Sequence, residues 1–64
     1  MKIKYDKEAD VVYIQLSDKK VLESKQEKQG VIIDYDSNGN VVGIEILQAS
    51  SHIDKVAGIS YELA

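Results

Sequence analysis

The chain has 64 residues, 44% of them apolar, which makes one small domain, residues 1–64, with material for a core but little room for one. The absence of cysteine excludes disulfides and thiolate metal sites, and a net charge of −3 argues against non-specific nucleic-acid binding, which needs cations to displace counterions, without forbidding a local basic patch. No apolar run approaches a membrane span, and no basic-then-apolar leader opens the sequence, so a cytoplasmic protein is expected.

The first element runs from Ile3 to Leu16. Its flanks alternate apolar and polar residues and are rich in Ile, Val and Tyr, the pattern of two half-buried strands. Folded as a hairpin about Lys7-Glu8-Ala9-Asp10, it pairs Tyr5 with Val12, Ile3 with Ile14 and Met1 with Leu16, all on one face. That loop lacks glycine, so its turn type stays open. The reverse face carries Lys2, Lys4, Val11, Tyr13 and Gln15. Val11 and Tyr13 are apolar enough to lie under the C-terminal segment or at a partner surface.

Ser17-Asp18-Lys19-Lys20 reads as a turn, and Val21 to Glu27 as an edge strand whose lysines and glutamates discourage pairing with other chains. Lys19, Lys20, Lys25 and Lys28 are the only candidates for a basic patch, but Glu23 and Glu27 interrupt them, giving a solvated face of mixed charge.

A second hairpin follows Gln29-Gly30. Residues 33–46 repeat residues 3–16 at a constant offset of thirty, with Ile3, Tyr5, Asp6, Val11, Val12 and Ile14 recurring as Ile33, Tyr35, Asp36, Val41, Val42 and Ile44. Asn38-Gly39 predicts a two-residue turn in which both central residues take positive φ. A loop closed by Ser37 and Asn40, or a four-residue loop closed by Asp36 and Val41, gives one register. Tyr35 then faces Val42, Ile33 faces Ile44 and Val31 faces Ile46.

After Leu47 the alternation stops. Residues 48–57, followed by Gly58, predict one short helix with Ser50 or Ser51 as N-cap, Gly58 at the left-handed C-terminal position, and Ile53, Val56 and Ala57 as its apolar stripe. The tail, Ile59 to Ala64, alternates like a strand but could equally fray. The expected fold is therefore α+β: an antiparallel β-meander of two similar hairpins plus an edge strand, with a short C-terminal helix.

One stretch spells a metal motif. Asp34, Asp36, Asn38, Gly39 and Glu45 satisfy the spacing of an EF-hand calcium loop. Such a loop curls about one ion at about 2.3–2.6 Å from each ligand, between helices. A hairpin instead puts Glu45 roughly 15–20 Å from the tip, beyond the reach of a shared ion. The first copy has Lys4, Ala9 and Gln15 where the second has Asp34, Gly39 and Glu45. Asp, Asn and Gly are also what a tight turn requires for its own geometry. A weak surface site at Asp34 and Asp36 is the alternative that survives, and it makes weak divalent-metal (calcium) binding the second functional reading.

The remaining polar candidates read as structure. Asp6, Glu8 and Asp10 form an acidic loop, read as a solvated turn with Asp6 capping backbone amides. His52, the only histidine, stands beside Ser50, Ser51 and Asp54. A triad needs groups brought together from separate elements, so an exposed first-turn histidine is expected. No phosphate-cradling glycine loop and no H-E-x-x-H motif occurs. No catalytic, cofactor-binding or metal residue is assigned, and no enzyme is expected.

Residues Met1 to Leu16, Gly30 to Asp36 and Asn40 to Leu47, quoted together, resemble a family of small prokaryotic proteins, the domain of unknown function 2283. The resemblance extends to about Ser50 and is weakest over 19–29 and the last dozen residues. It implies a compact β-rich fold with a short helical end and no known reaction. It also suggests, by association, an antitoxin-like role with a small toxin-like protein as partner. The function expected is a small non-catalytic protein-interaction module, with homodimerisation and an unidentified protein partner as its two forms. An exposed apolar patch at Val11, Tyr13 or the tail would mark it.

Overall fold

The computed structural model describes residues 1–64. Five strands form one antiparallel sheet: β1 (Lys2–Asp6), β2 (Val11–Gln15), β3 (Glu23–Lys28), β4 (Val31–Tyr35) and β5 (Val41–Leu47), in the spatial order β1-β2-β5-β4-β3. The most apolar strands, VVYIQ and VVGIEIL, take inner places, while the lysine-bearing KIKYD and ESKQEK lie at the edges. Charged edges resist pairing with further chains, and the branched inner strands suit a sheet interior.

Both hairpins form. In the first, Tyr5 pairs with Val12 and Ile3 with Ile14, as the alternation requires. In the second, Ile33 pairs with Ile44 and Val31 with Ile46. The expected meander holds only for β3-β4-β5. Strand β2 lies beside β5 rather than β3, and residues 16–22 run past the end of the sheet to reach the far edge. The amides of Leu16 and Ser17 donate to the Val42 carbonyl (2.7 and 3.3 Å), and the Leu22 amide donates to the Tyr35 carbonyl (2.7 Å).

Ile14 and Ile44 occupy equivalent places in the thirty-residue repeat and pair directly with each other. The two hairpins are thus related by a local two-fold axis through that pair. The row Ile3-Ile14-Ile44-Ile33 reads the same from either end.

The second turn differs from its expected form. Gly39 has φ +79°, but Asn38 does not take a positive φ. The Gly39 amide donates to the Asp36 carbonyl (3.1 Å), and the Asp36 amide donates to the Asn40 carbonyl (3.0 Å). That is a three-residue loop with a single left-handed position, at glycine. It moves the pairing by one residue, so Tyr35 faces Val41 rather than Val42. The register recovers through a bulge between Asp34 and Tyr35. The first loop is one residue longer, four residues between the paired Asp6 and Val11, and without glycine it places Asp10 at φ +56°, a conformation aspartate tolerates better than most residues.

The C-terminal helix over residues 48–57 does not form. Only a 3-10 turn, Ala49–Ser51, follows β5, and the tail forms no strand. The Ser50 amide and hydroxyl both donate to the Asp10 carboxylate (3.0 and 2.7 Å). The physical reason is that a ten-residue segment with three apolar positions cannot sustain a helix without a packing surface. The edge strand spans Glu23–Lys28, shifted toward the C-terminus from its expected span of Val21 to Glu27.

Candidate interaction face

Strand register sorts the side chains onto two faces. On one lie Ile3 and Tyr5 from β1, Val12 and Ile14 from β2, Val42, Ile44 and Ile46 from β5, and Val31, Ile33 and Tyr35 from β4. Along β3 the same face ends in Glu23, Lys25 and Glu27. Lys25 pairs with Glu23 (3.2 Å) and lies over the Tyr35 ring, whose hydroxyl donates to Glu27 (3.1 Å). An aliphatic surface with a charged rim results.

No further strand or helix of the chain forms a second layer over it, and its cover is local: Val12 and Val42 are buried, and in the segment after β5 Ala49 is buried and Ile53 and Val56 are half-buried. Sheets ordinarily bury one face against another element. Here the buried apolar side chains number three: Val12, Val42 and Ala49. Ile14, Ile33, Ile44, Ile46 and Val31 stay partly open to solvent even on inner strands, and Ile3 is 39% exposed. The tail does not supply the missing layer, since Ile59, Tyr61 and Leu63 are themselves exposed.

Total accessible surface carries the same message. It is 5258 Å² for a 7.1 kDa chain, against about 4,100 Å² for a compact monomer of that mass. The radius of gyration is 12.4 Å, against about 11 Å for a globular domain of this length.

The opposite face mixes Val11, Ile32 and Leu47 with polar groups that bond to one another. Gly43 of β5 stands opposite Asp34, and Tyr13 of β2 lies across the gap that glycine leaves. The Tyr13 hydroxyl donates to Asp34 Oδ2 (3.0 Å), while the Ser24 hydroxyl donates to Asp34 Oδ1 (2.6 Å). One carboxylate so joins β2, β4 and β3 across the intervening strand. Burial, followed by the Asp34 carboxylate, raises the Tyr13 pKa above the usual phenol value. Tyr13 and Gly43 are equivalent positions of the repeat, flanking the local two-fold axis, and a side chain at 43 would occupy the place of the Tyr13 ring.

Four of the acidic candidates, Asp6, Asp10, Asp34 and Asp36, have structural partners. Asp36 Oδ1 accepts from the amides of Asn38 and Asn40 (both 2.9 Å), and Asp6 Oδ1 accepts from those of Glu8 and Ala9 (both 3.1 Å). The Asn40 amide, followed by partial opposition from burial and then the Asn38 amide, holds Asp36 below the ordinary carboxyl range. Asp10 fastens the first loop to the end of β5. It accepts from Ser50 and from the Tyr5 hydroxyl (2.9 Å), and those bonds lower its pKa, Ser50 most. The Asp10 carbonyl also accepts from the Ala49 amide (2.9 Å).

The DYDSNGNVVGIE stretch folds as strand, turn and strand rather than as an ion-wrapping loop. No three carboxylate or histidine side chains come close enough to share a metal ion. His52 is exposed, and Ser50 bonds Asp10 rather than the histidine. The surface depressions are all open to solvent.

Residues 2–50 match the model of one protein family. The chain belongs to the family described as protein of unknown function (DUF2283). Its match covers all five strands and reaches the 3-10 turn, so the DUF2283 region includes the whole apolar face as well as the Tyr13-Asp34 clamp. No curated protein and no solved structure matches the chain.

Of the places where the sequence put an exposed apolar patch in this DUF2283 chain, the tail does expose Ile59, Tyr61 and Leu63. Val11 and Tyr13 lie on the other sheet face, where Tyr13 is committed to Asp34. A second apolar surface is the isoleucine face expected to form the core. A signal was present: ten apolar or aromatic side chains on one sheet face need a comparable covering layer, and Ile53, Val56 and Ala57 are three. No helix is long and apolar enough to cross a membrane.

Proposed function

We propose that the protein is a small non-catalytic interaction module whose apolar sheet face receives another polypeptide. The observation that carries this reading is the solvent exposure of isoleucines on inner strands, at positions that a two-layered domain buries. Exposed apolar surface rimmed by charged groups is characteristic of protein-binding sites. The polar groups of the molecule support the same reading, because the aspartates nearest one another are engaged with backbone amides, tyrosine or serine hydroxyls. An antitoxin-like role would be one instance of this function. It draws on the family resemblance, and no residue of the face selects a toxin-type partner. A reducing, cytoplasmic setting suits a chain without cysteine.

A photo-crosslinking amino acid placed at Ile3 or at Lys4, adjacent residues on opposite faces of β1, tests the proposal in the native host. Polypeptide adducts are expected from position 3 and not from position 4. No adduct at position 3, or equal adducts at both, would contradict it.

A further inference from the structure

We infer that the occupant of the apolar face is a second copy of this chain, stacked face to face as a two-sheet homodimer. This inference rests on the interaction reading above and names its partner.

Area is the first argument. The chain exposes about 1,200 Å² more than a compact monomer of its mass. A stable interface of standard size removes about 800 Å² from each partner. The surplus is shared between the face and the exposed tail, where Ile59, Tyr61 and Leu63 are 67%, 74% and 81% exposed, and it is of the order that one dimer contact requires.

Shape is the second. A two-fold dimer presents the same patch from both sides, so the patch must complement itself. Here the central row Ile3-Ile14-Ile44-Ile33 is already symmetric about the local axis at Ile14 and Ile44. Branched side chains of similar size line both halves. Two such faces packed about 10 Å apart give the aligned sandwich in which inner-face side chains interdigitate.

Charge bears on the orientation. On the apolar face the charged groups lie on β3, where Glu23 and Glu27 flank Lys25, while Lys2 and Lys4 of β1 point to the other face. A two-fold axis across the strands would stack β3 on β3 and set these carboxylates against their own copies, which costs specificity. A two-fold axis parallel to the strands places β3 over β1, whose residues on this face are Ile3 and Tyr5.

Sedimentation velocity on the purified full chain, from micromolar to millimolar concentration, tests the inference. The expected species is near twice 7.1 kDa. Ile3→Lys alters an already part-exposed position, so the fold is retained by circular dichroism. The symmetry repeats the substitution at two places, so dimerisation should weaken by about tenfold or more. Lys4→Ala on the other face should leave it close to wild type. A wild-type monomer at every concentration, or an Ile3→Lys variant that is folded and as dimeric as wild type, overturns the inference. Position-3 crosslinks to a different protein beside a monomeric chain would overturn the homodimer while leaving the interaction function standing. Absence of crosslinks at position 3 to anything would remove both.

Discussion

Gly43→Ala offers a sharp test of the Tyr13-Asp34 clamp. An added Cβ would lie 2.7 Å from Tyr13 Cζ and 3.2 Å from the Ile14 carbonyl oxygen, so the tyrosine ring must swing away. The Tyr13 hydroxyl then loses Asp34. A hydrogen bond to a charged group contributes about 1.5–3 kcal/mol when well shielded, and the half-exposed position of Tyr13 reduces that to about 1 kcal/mol. Replacing a strand glycine by alanine offsets the loss by roughly 0.5–1 kcal/mol through the unfolded chain. Together with the lost ring packing, the net expectation is a destabilisation of about 1 kcal/mol, or a fall in Tm of about 4–8 °C for a chain of this size. In a Tyr13→Ala background the obstruction is gone, and the same substitution should be near neutral or slightly stabilising. Thermal and urea unfolding of all four proteins at one fixed concentration closes the cycle. An equal cost for Gly43→Ala in both backgrounds would refute the idea that Tyr13 fills the space glycine leaves.

Acid should weaken the fold through Asp10 and Asp36, whose folded carboxyls bind protons less readily than those of the unfolded chain. Their contribution is complete above the unfolded carboxyl range, about pH 4, and disappears as pH falls through the lower folded values. Asp10→Asn should flatten the acid limb of a Tm-against-pH curve; an unchanged limb would contradict the assignment. Gly39→Ala meets open space but a φ of +79°. Unfolding measurements should therefore show a loss of about 1 kcal/mol despite the absence of any clash. Millimolar calcium should leave Tm unchanged, because the Asp36 and Asp34 oxygens are held by amides and hydroxyls. A rise in Tm would point to the divalent-metal reading instead.

Much of the local structure was legible in the sequence. Alternation and the thirty-residue repeat specify both hairpins and most of their cross-strand pairs, because a one-residue slip would turn Ile3, Ile14, Ile33 and Ile44 to the wrong face. The turn at Asn38-Gly39 was legible as a turn but not by type. Asp36 binds the amides of Asn38 and Asn40 and draws the loop into a three-residue form, a side-chain effect that dipeptide preference does not contain. Strand order was not legible. Pairing β2 with β5 depends on which strands are apolar enough for the interior, and on Ile14 meeting its own repeat partner across a long separation. The helix was overestimated because cap and stop residues are local signals, whereas a segment with only Ile53, Val56 and Ala57 as its stripe needs a packing surface to propagate beyond the Ala49–Ser51 turn.

The apolar face shows the limit of reading a core from periodicity. Alternation identifies which side chains share a face. It does not say whether the same chain covers them. The surface area and radius of gyration both exceed those of a compact monomer, through the partly open sheet face and the exposed tail together.

The most direct measurement is an isotope-filtered nuclear Overhauser experiment on a mixture of labelled and unlabelled protein, which reports only contacts between chains. The account predicts cross-peaks between methyl groups of Ile3, Ile14, Ile33 and Ile44 on one copy and apolar-face protons on the other. A sample with no intermolecular cross-peaks at millimolar concentration, or with cross-peaks confined to Tyr13, Val11 and the opposite face, would contradict it.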